Sequence, residues 1–160
     1  MPIQCTFRLN GQFTSKLSCS GFGTVNAFSG QKDGRDNPQA IAIEKIGPIP
    51  PGKYYLLDRH SGGRMGWLYD LFSQMSVFST DRSKWFMLWN ERTGDSTFIN
   101  GVRRGEFRLH PAGSGNYSEG CITVQSAVEF DRLERYIRLR RPDMPVPGTT
   151  DKAYGTVIVQ

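Results

Sequence analysis

The sequence lacks any long apolar run. The longest is Trp85-Phe-Met-Leu-Trp89, only five residues, whereas a membrane-spanning helix needs about 20. This shortage excludes a helical span, and we expect no membrane insertion. Apolar residues nevertheless make up 38% of the 160 residues and charged residues 22%, which is enough apolar material for a packed core and too much for a disordered chain.

Cysteine and histidine are also scarce, with three cysteines and two histidines. An odd number of cysteines leaves at least one thiol unpaired within the chain, which excludes a fold built on disulfides alone. His60 has no second histidine or cysteine nearby at the spacing of zinc ligands. We therefore expect no metal and no other cofactor.

The sequence has only a small excess of positive charge. The 20 Lys and Arg exceed the 15 Asp and Glu by five, and they are spread along the chain. This balance is compatible with nucleic acid, acidic lipid or a polyanionic cell wall and selects none of them. The basic cluster Arg138, Arg140 and Arg141 falls where a helix is predicted to end, a place that favours cations. We therefore interpret this cluster as a solvated helix end and expect no nucleic-acid partner.

No linker, internal repeat or low-complexity tract interrupts the sequence, because glycine and proline are spread along its whole length. We therefore predict a single domain over residues 1–160. The first ten residues show no basic segment followed by an apolar one. We accordingly expect synthesis in the cytoplasm without a signal peptide.

Strand patterns dominate what is present. Ile3 to Asn10 alternates apolar and polar residues with a period of two, which is typical of a half-buried strand. Further strands are predicted on both sides of turn-forming residues, at 13–19, 22–29, 54–57, 84–89, 106–110, 121–124 and 154–159. The predicted fold class is mainly β, a sandwich or barrel with one helix at about 126–140. That helix begins with the capping-box pattern Ser126-Ala-Val-Glu129.

The first two strands carry the other two cysteines. Pairing across a turn at Asn10-Gly11 places Cys5 opposite Leu17 and makes Cys19 a diagonal neighbour. Diagonal neighbours lie about 7 to 8 Å apart, at or beyond the usual reach of a disulfide. We therefore predict two buried thiols at these positions.

Reactive chemistry is concentrated in one segment, Phe107-Arg-Leu-His110-Pro-Ala-Gly-Ser-Gly-Asn-Tyr-Ser118-Glu-Gly-Cys121-Ile-Thr-Val124. His110 ends a predicted strand on its polar face, and a loop rich in small residues returns to Cys121. A thiol and an imidazole on one rim can form a nucleophile and its base, and a thiol with its ordinary pKa of roughly 8.5 needs such activation. Gly120 would let the backbone amides beside Cys121 approach a carbonyl oxygen.

This segment resembles the L,D-transpeptidase (YkuD) signature, in which a histidine and a short loop precede Ser/Thr-His-Gly-Cys and an apolar residue. Gly47-Pro-Ile-Pro-Pro-Gly-Lys-Tyr54 also resembles the turn that precedes an aromatic strand in that family. The similarity covers roughly residues 28–125. Together with the size of the chain, it is closest to the small Tlde-type antibacterial effectors of type VI secretion.

The resemblance implies a reaction and roles for residues. Cys121 would attack the carbonyl of the third residue of a peptidoglycan stem peptide, with His110 as general base, and release D-Ala to leave a thioester. Water then gives L,D-carboxypeptidase activity, a D-amino acid gives exchange, and another stem gives a 3-3 crosslink. The amides of Gly120 and Cys121 would bind the oxyanion, and Ser118 would shape the loop.

Two positions depart from the family pattern. Glu119 stands where most members have histidine, and Thr123 stands where many have arginine. The missing arginine could be replaced by one of three others, among which the sequence does not choose: Arg103, Arg104 and Arg108. These departures favour carboxypeptidase or exchange activity over crosslinking. Candidate substrate-binding residues are Glu119, Arg108, Tyr117 and Trp89.

The resemblance also implies partners and a place of action. The partners are peptidoglycan stem peptides, a secretion machinery and a cognate immunity protein, and the exported protein would act in the periplasm of a target bacterium. Alternatives are another cysteine amidase or peptidase and a non-enzymatic basic module that binds cell wall or nucleic acid. Papain-like enzymes place cysteine before histidine in the chain, and sortases place the histidine much further upstream, so both fit poorly.

Overall fold

The computed structural model describes residues 1–58, 82–113 and 118–160. In chain order, the strands of these residues are β1 (Ile3–Phe7), β2 (Ser15–Cys19), β3 (Gly23–Ser29), β4 (Gly52–Asp58), β5 (Phe86–Asn90), β6 (Ser96–Ile99), β7 (Val102–Gly105), β8 (Arg108–Pro111), β9 (Ile122–Val124), β10 (Met144–Pro145), β11 (Lys152–Ala153) and β12 (Gly155–Val159). The helix α1 is Ala127–Arg138, and single 3-10 turns lie at Lys32–Gly34, Pro38–Ala40 and Arg82–Lys84.

Eight of these strands close a barrel in the order β1-β12-β4-β5-β8-β9-β3-β2. Two of the pairings, β1 with β12 and β8 with β9, are parallel, and the others are antiparallel. The mainly β prediction is confirmed, and the eight barrel strands overlap the eight segments predicted as strands. The short pairs β6–β7 and β10–β11 form separate two-stranded sheets.

The barrel interior follows from the period of two. In β1, every second residue is buried and the residues between are exposed, because successive side chains of a strand point to opposite faces. Apolar side chains from all eight strands meet inside and pack against Phe130, Leu133 and Ile137 of α1. A second, smaller cluster lies outside the barrel between β4, β5 and the β10–β11 pair, and it includes Met87 and Val146.

The prediction of two separate thiols at Cys5 and Cys19 is wrong, because the structure joins them in a disulfide. Cys5 lies directly opposite Cys19, and Leu17 lies opposite Phe7. The register differs by two residues because Asn10-Gly11 does not form a tight two-residue turn. Instead it belongs to a longer loop in which Asn10 accepts a hydrogen bond from the Gln12 amide and donates one to the Thr14 carbonyl.

The predicted helix is confirmed at both ends. The Ser126 hydroxyl accepts a hydrogen bond from the Glu129 amide, which satisfies one of the amides left open at a helix start. Near the other end, Arg138 pairs with Glu134 and with Asp58 of β4, so this part of the basic cluster holds the helix to the barrel. No helix in the described parts of the chain is long and apolar enough to cross a membrane.

The β6–β7 hairpin was not among the predicted strands. Its turn residues Asn100 and Gly101 both have positive φ, 50° and 78°, which is the requirement of the tight type I′ hairpin turn that Asn-Gly favours. The hairpin precedes β8 in the chain, and the residues at its base reach the site described next.

Candidate functional site

The site lies where β8 and β9 run side by side. Leu109 pairs with Ile122 and both side chains enter the barrel core, so the next pair, His110 and Thr123, faces the other side of the sheet. Cys121 immediately precedes β9, one position before Ile122. The parallel pairing therefore brings the predicted base and the predicted nucleophile to neighbouring strands on the outer face of the barrel.

The His110 imidazole is held on three sides. Its Nδ1 lies 2.8 Å from the Pro111 carbonyl oxygen, and its Nε2 lies 3.4 Å from the Thr123 hydroxyl. The Trp85 indole stacks on the ring with centroids 4.4 Å apart and an interplanar angle of 22°. Ring orientation is therefore fixed by the strand ends of β8 and β9 and by the residue before β5.

These contacts assign the protons. A carbonyl oxygen only accepts hydrogen bonds, so Nδ1 carries the proton and Nε2 of the neutral ring keeps a lone pair. Burial lowers the pKa of His110 to about 4, and the bond to Pro111 opposes this shift only in part. The imidazole is consequently neutral at pH 7, with Nε2 as the atom able to accept a proton.

Cys121 is the free cysteine and is half-buried. Its thiol lies 3.9 Å from the Glu106 carbonyl oxygen, and the Arg108 backbone amide hydrogen-bonds the sulfur. Burial raises the pKa of Cys121 to about 11, while the amide and guanidinium of Arg108 act in the opposite direction. At rest the pair is thus a neutral thiol and a neutral imidazole rather than an ion pair.

Ser118 and Gly120 shape the loop before Cys121. The buried Ser118 hydroxyl donates to the Cys121 carbonyl at 2.7 Å and accepts from the Gly120 amide at 3.2 Å. Gly120 has φ +116°, and a Cβ there would lie 2.6 Å from Nη2 of Arg104 and 2.9 Å from the Phe107 ring. Only glycine fits this position without displacing its neighbours.

Arg104 ties the loop to the proline-rich turn before β4. The residue is buried, and its guanidinium donates to the carbonyls of Ile41, Gly47 and Pro48. Ser29 makes a second link, since its hydroxyl donates to the Gly120 carbonyl at 3.1 Å and accepts from the Ile49 amide at 2.8 Å. The two separate sequence matches of the resemblance therefore meet in one place.

Arg108 lies behind the thiol. Its side chain is fully buried, it forms a two-point ion pair with Asp95 at 2.8 and 3.3 Å, and it donates to the Phe107 carbonyl. Glu106 stands nearby with φ +60°. Burial raises the pKa of Glu106, and Asp95 adds to this rise. The thiol therefore sits between buried cations and a half-buried carboxyl group.

The structure distinguishes the three arginines among which the sequence did not choose, by their burial and their partners. Arg103 is exposed on β7, whereas the guanidinium groups of Arg104 and Arg108 are buried and engaged with protein groups. Direct contact of Arg108 with a substrate stays a prediction, and its position favours an electrostatic effect on Cys121. Glu119 is exposed beside the thiol, and Tyr117 and His60 lie outside the described residues.

A role for Trp89 in substrate binding stays a prediction. Trp89 packs against the outer cluster around Met87 and against Gly94. The aromatic residue that stacks on His110, the predicted general base, is Trp85. Sequence reasoning missed this contact and the links made by Ser29 and Asp95. The alternation of Trp85, Met87 and Trp89 on one strand face was the signal available for Trp85. No local pattern marks Ser29 or Asp95, because their partners are distant in the chain.

A family model, described as the Tlde1 domain, matches residues 23–149. The chain belongs to the Tlde1 domain family. This membership confirms the Tlde-type effector part of the resemblance, a type VI secretion effector. The relation to L,D-transpeptidases stays a prediction. No curated protein matches the chain. The match spans the whole site, from β3 through the proline-rich turn to β9 and α1, and leaves β1, β2 and β12 outside.

Proposed function

We propose that this Tlde1-family protein is a cysteine enzyme that acts on peptidoglycan stem tetrapeptides through a thioester on Cys121. The observation that carries the proposal is the parallel pairing of β8 with β9, which brings a neutral imidazole, whose Nε2 keeps its lone pair, and the free thiol to one face. A nucleophile beside its base, with the base oriented by a third group, is the arrangement of covalent catalysis. The Pro111 carbonyl supplies that third group.

The first step joins proton transfer to attack. Nε2 of His110 accepts the thiol proton while the sulfur electron pair forms a bond to the carbonyl carbon of the third stem residue. Because the thiol and imidazole are both neutral at rest, activation by general-base transfer during attack fits the site better than a preformed thiolate. Collapse of the tetrahedral intermediate breaks the amide bond, and the D-Ala amine leaves with the proton from His110.

The developing oxyanion needs hydrogen-bond donors. We assign this role to the amides of Gly120 and Cys121. The Gly120 amide now donates to Ser118 at 3.2 Å, a long bond that a negatively charged oxygen can replace. Arg104, near Gly120, and Arg108, behind the sulfur, add positive potential where the charge develops.

The acyl acceptor decides the product. Water activated by Nε2 gives L,D-carboxypeptidase activity, and a D-amino acid gives exchange. Thr123 stands where many L,D-transpeptidases have arginine, and Glu119 beside the thiol is a carboxylate rather than an imidazole. We therefore favour hydrolysis and exchange over 3-3 crosslinking.

The proposed place of action is the periplasm of a target bacterium, reached through a secretion machinery and opposed by a cognate immunity protein. Type VI effector membership supports this. The Cys5–Cys19 disulfide supports it independently, because disulfides form and persist in the periplasm and are rare in the cytoplasm.

The reaction is tested with purified tetrapeptide muropeptides, with and without a D-amino acid, followed by mass spectrometry. We expect loss of one alanine, or exchange of that alanine, and a thioester adduct on the peptide that contains Cys121. Cys121→Ala is expected to be folded and inactive, because it removes the atom that forms the thioester. Turnover that persists in Cys121→Ala would refute the mechanism.

The effector role is tested by compartment. Expression in the bacterial cytoplasm should be harmless because the stem peptides are absent there, whereas the same chain with an added Sec signal should stop growth and produce swollen or lysing cells. Cys121→Ala behind the same signal is the control and should be harmless. Equal toxicity in both compartments would point to a cytoplasmic target.

A further inference from the structure

The residue opposite the base is Thr123. It pairs with His110 in the parallel ladder of β8 and β9, is fully buried, and brings its hydroxyl to 3.4 Å from Nε2. It follows Cys121 by two positions, so both side chains lie on the same side of that strand. The hydroxyl therefore contacts the nitrogen that the proposed reaction uses.

The direction of the hydrogen bond between Thr123 and Nε2 follows from the contact of the other ring nitrogen, Nδ1. Nδ1 donates to the Pro111 carbonyl, so neutral Nε2 is an acceptor and the Thr123 hydroxyl is the donor. A hydroxyl can also accept. When Nε2 becomes protonated, the same hydroxyl can turn and accept from it, which a methyl group cannot do.

We propose that Thr123 is a positioning residue for the His110 base, which donates to Nε2 at rest and accepts from Nε2–H in the imidazolium. This proposal rests on the proposed function for its role in turnover. During acylation the S–H bond breaks and an Nε2–H bond forms, the sulfur pair goes to the carbonyl carbon, and the proton passes from Nε2 to the departing amine. The Thr123 hydroxyl keeps its own proton throughout: it turns away and frees the Nε2 lone pair before the thiol proton arrives, and it then accepts from Nε2–H.

The contact also explains a residue choice at the site. Position 123 lies between Ile122 and Val124, whose side chains enter the barrel core, and its own side chain is buried beneath the imidazole. A buried hydroxyl without a partner is costly, and Nε2 is the partner that the structure provides. Threonine is stiff at χ1 in a strand, so the position of the hydroxyl oxygen is set before substrate arrives, while its O–H bond stays able to rotate.

The test compares Thr123→Val, which keeps the shape and removes the hydroxyl, with Thr123→Ser, which keeps the hydroxyl. We expect Thr123→Val to lower kcat about tenfold, the effect of one lost hydrogen bond, with KM unchanged, and Thr123→Ser to restore most of kcat. Thr156→Val is the matched control, since Thr156 is a buried threonine that pairs with Tyr55 elsewhere in the barrel.

A second measurement needs no substrate. The chain has two histidines, so ¹⁵N-histidine labelling of a His60→Asn background gives one imidazole. We expect a protonated Nδ1 and a hydrogen-bonded Nε2 in the parent. The Nε2 resonance should shift toward that of an unbonded acceptor in Thr123→Val but not in Thr156→Val.

An Nε2 resonance that is the same in parent and Thr123→Val, or a proton found on Nε2 of the parent at neutral pH, would overturn the proposal. Equal kcat in Thr123→Val and parent would do the same. Absence of muropeptide turnover by the parent would refute the proposed function alone, because the resonance reports the contact by itself.

Discussion

Two regions of the barrel are built in opposite ways. The closing seam, which consists of β1, β2 and β12, buries mainly apolar side chains and a disulfide, together with the polar residues Ser15 and Thr156. The site edge, which consists of β8, residues 118–121 and β9, buries an arginine, a serine and a threonine. The seam derives its stability mainly from apolar burial, whereas the site edge depends more on the hydrogen bonds and the ion pair of its buried polar side chains.

The difference shows how this fold separates stability from chemistry. Buried polar groups are costly unless they are paired, and at the site edge two of the partners come from distant segments, namely Ser29 of β3 and Asp95 before β6. In the seam, the buried Ser15 hydroxyl donates to the carbonyl of Arg8, a partner nearby in the chain. The family match covers the site edge and not the seam.

The largest expected effect tests the site edge. His110→Ala should lower kcat/KM by roughly 100- to 10,000-fold, the range associated with general-base catalysis. A cooperative urea unfolding transition should show that the variant is folded. Because burial raises the pKa of Cys121 to about 11, rescue should begin only in strongly alkaline buffer. His60→Ala is the control and should keep full activity. An unchanged rate in His110→Ala would assign the base to another residue.

The next effect tests the seam. Replacing both Cys5 and Cys19 by serine should lower the free energy of unfolding by about 3 kcal/mol, the value for a closed loop of this size, and leave kcat unchanged at temperatures where the protein stays folded. A urea titration with and without a reducing agent measures it. A folded double variant without activity would show that the seam and the site edge are coupled.

The next prediction concerns the free-energy cost of burying the carboxyl group of Asp36. Its side chain is fully buried, Oδ1 accepts from the Ser29 amide, and Oδ2 has no partner among the described residues. Burial raises the pKa of Asp36 to about 7, so the folded state holds a proton that the unfolded state releases near pH 4. Stability from this group is therefore present at low pH and is lost as pH rises from about 4 to 7.

Asp36→Asn should remove this dependence. We expect the variant and the parent to differ little at pH 4, and the variant to be the more stable one at pH 8. Urea titrations at the two pH values measure the difference, and the contribution of His110 cancels because both proteins contain it. A parent whose stability relative to the variant does not fall with pH would show that Asp36 ionises normally.

The smallest effect concerns Glu119. Its side chain is exposed, and exposed substitutions usually change stability by no more than about 0.5 kcal/mol. Glu119→His should therefore be folded, keep hydrolysis within about twofold, and increase the share of exchange or crosslinked product in the muropeptide assay. Glu119→Gln is the matched control for charge. An inactive but folded Glu119→His would give Glu119 a specific role in catalysis.

Much of the fold was predictable because it depends on local patterns. The period of two in residues 3–9 and the capping box at Ser126 each predicted an element that the structure contains. The Asn100-Gly101 turn carried a hairpin signal that was missed, since the flanking residues do not alternate cleanly. At Asn10-Gly11 the same dipeptide predicted a tight turn that does not form, because side-chain bonds of Asn10 stabilise a longer loop.

The sequence by itself selected His110 and Cys121 as the candidate reactive pair, through the neighbouring residues and the resemblance that these residues carry. Only the tertiary structure decided the register that joins Cys5 to Cys19, the stacking of Trp85 on His110, and the burial of Arg104 and Arg108 beside the thiol. Local patterns report the face on which a side chain lies. Register, burial and the resulting pKa shifts depend on segments far apart in the chain, which meet only when the barrel closes.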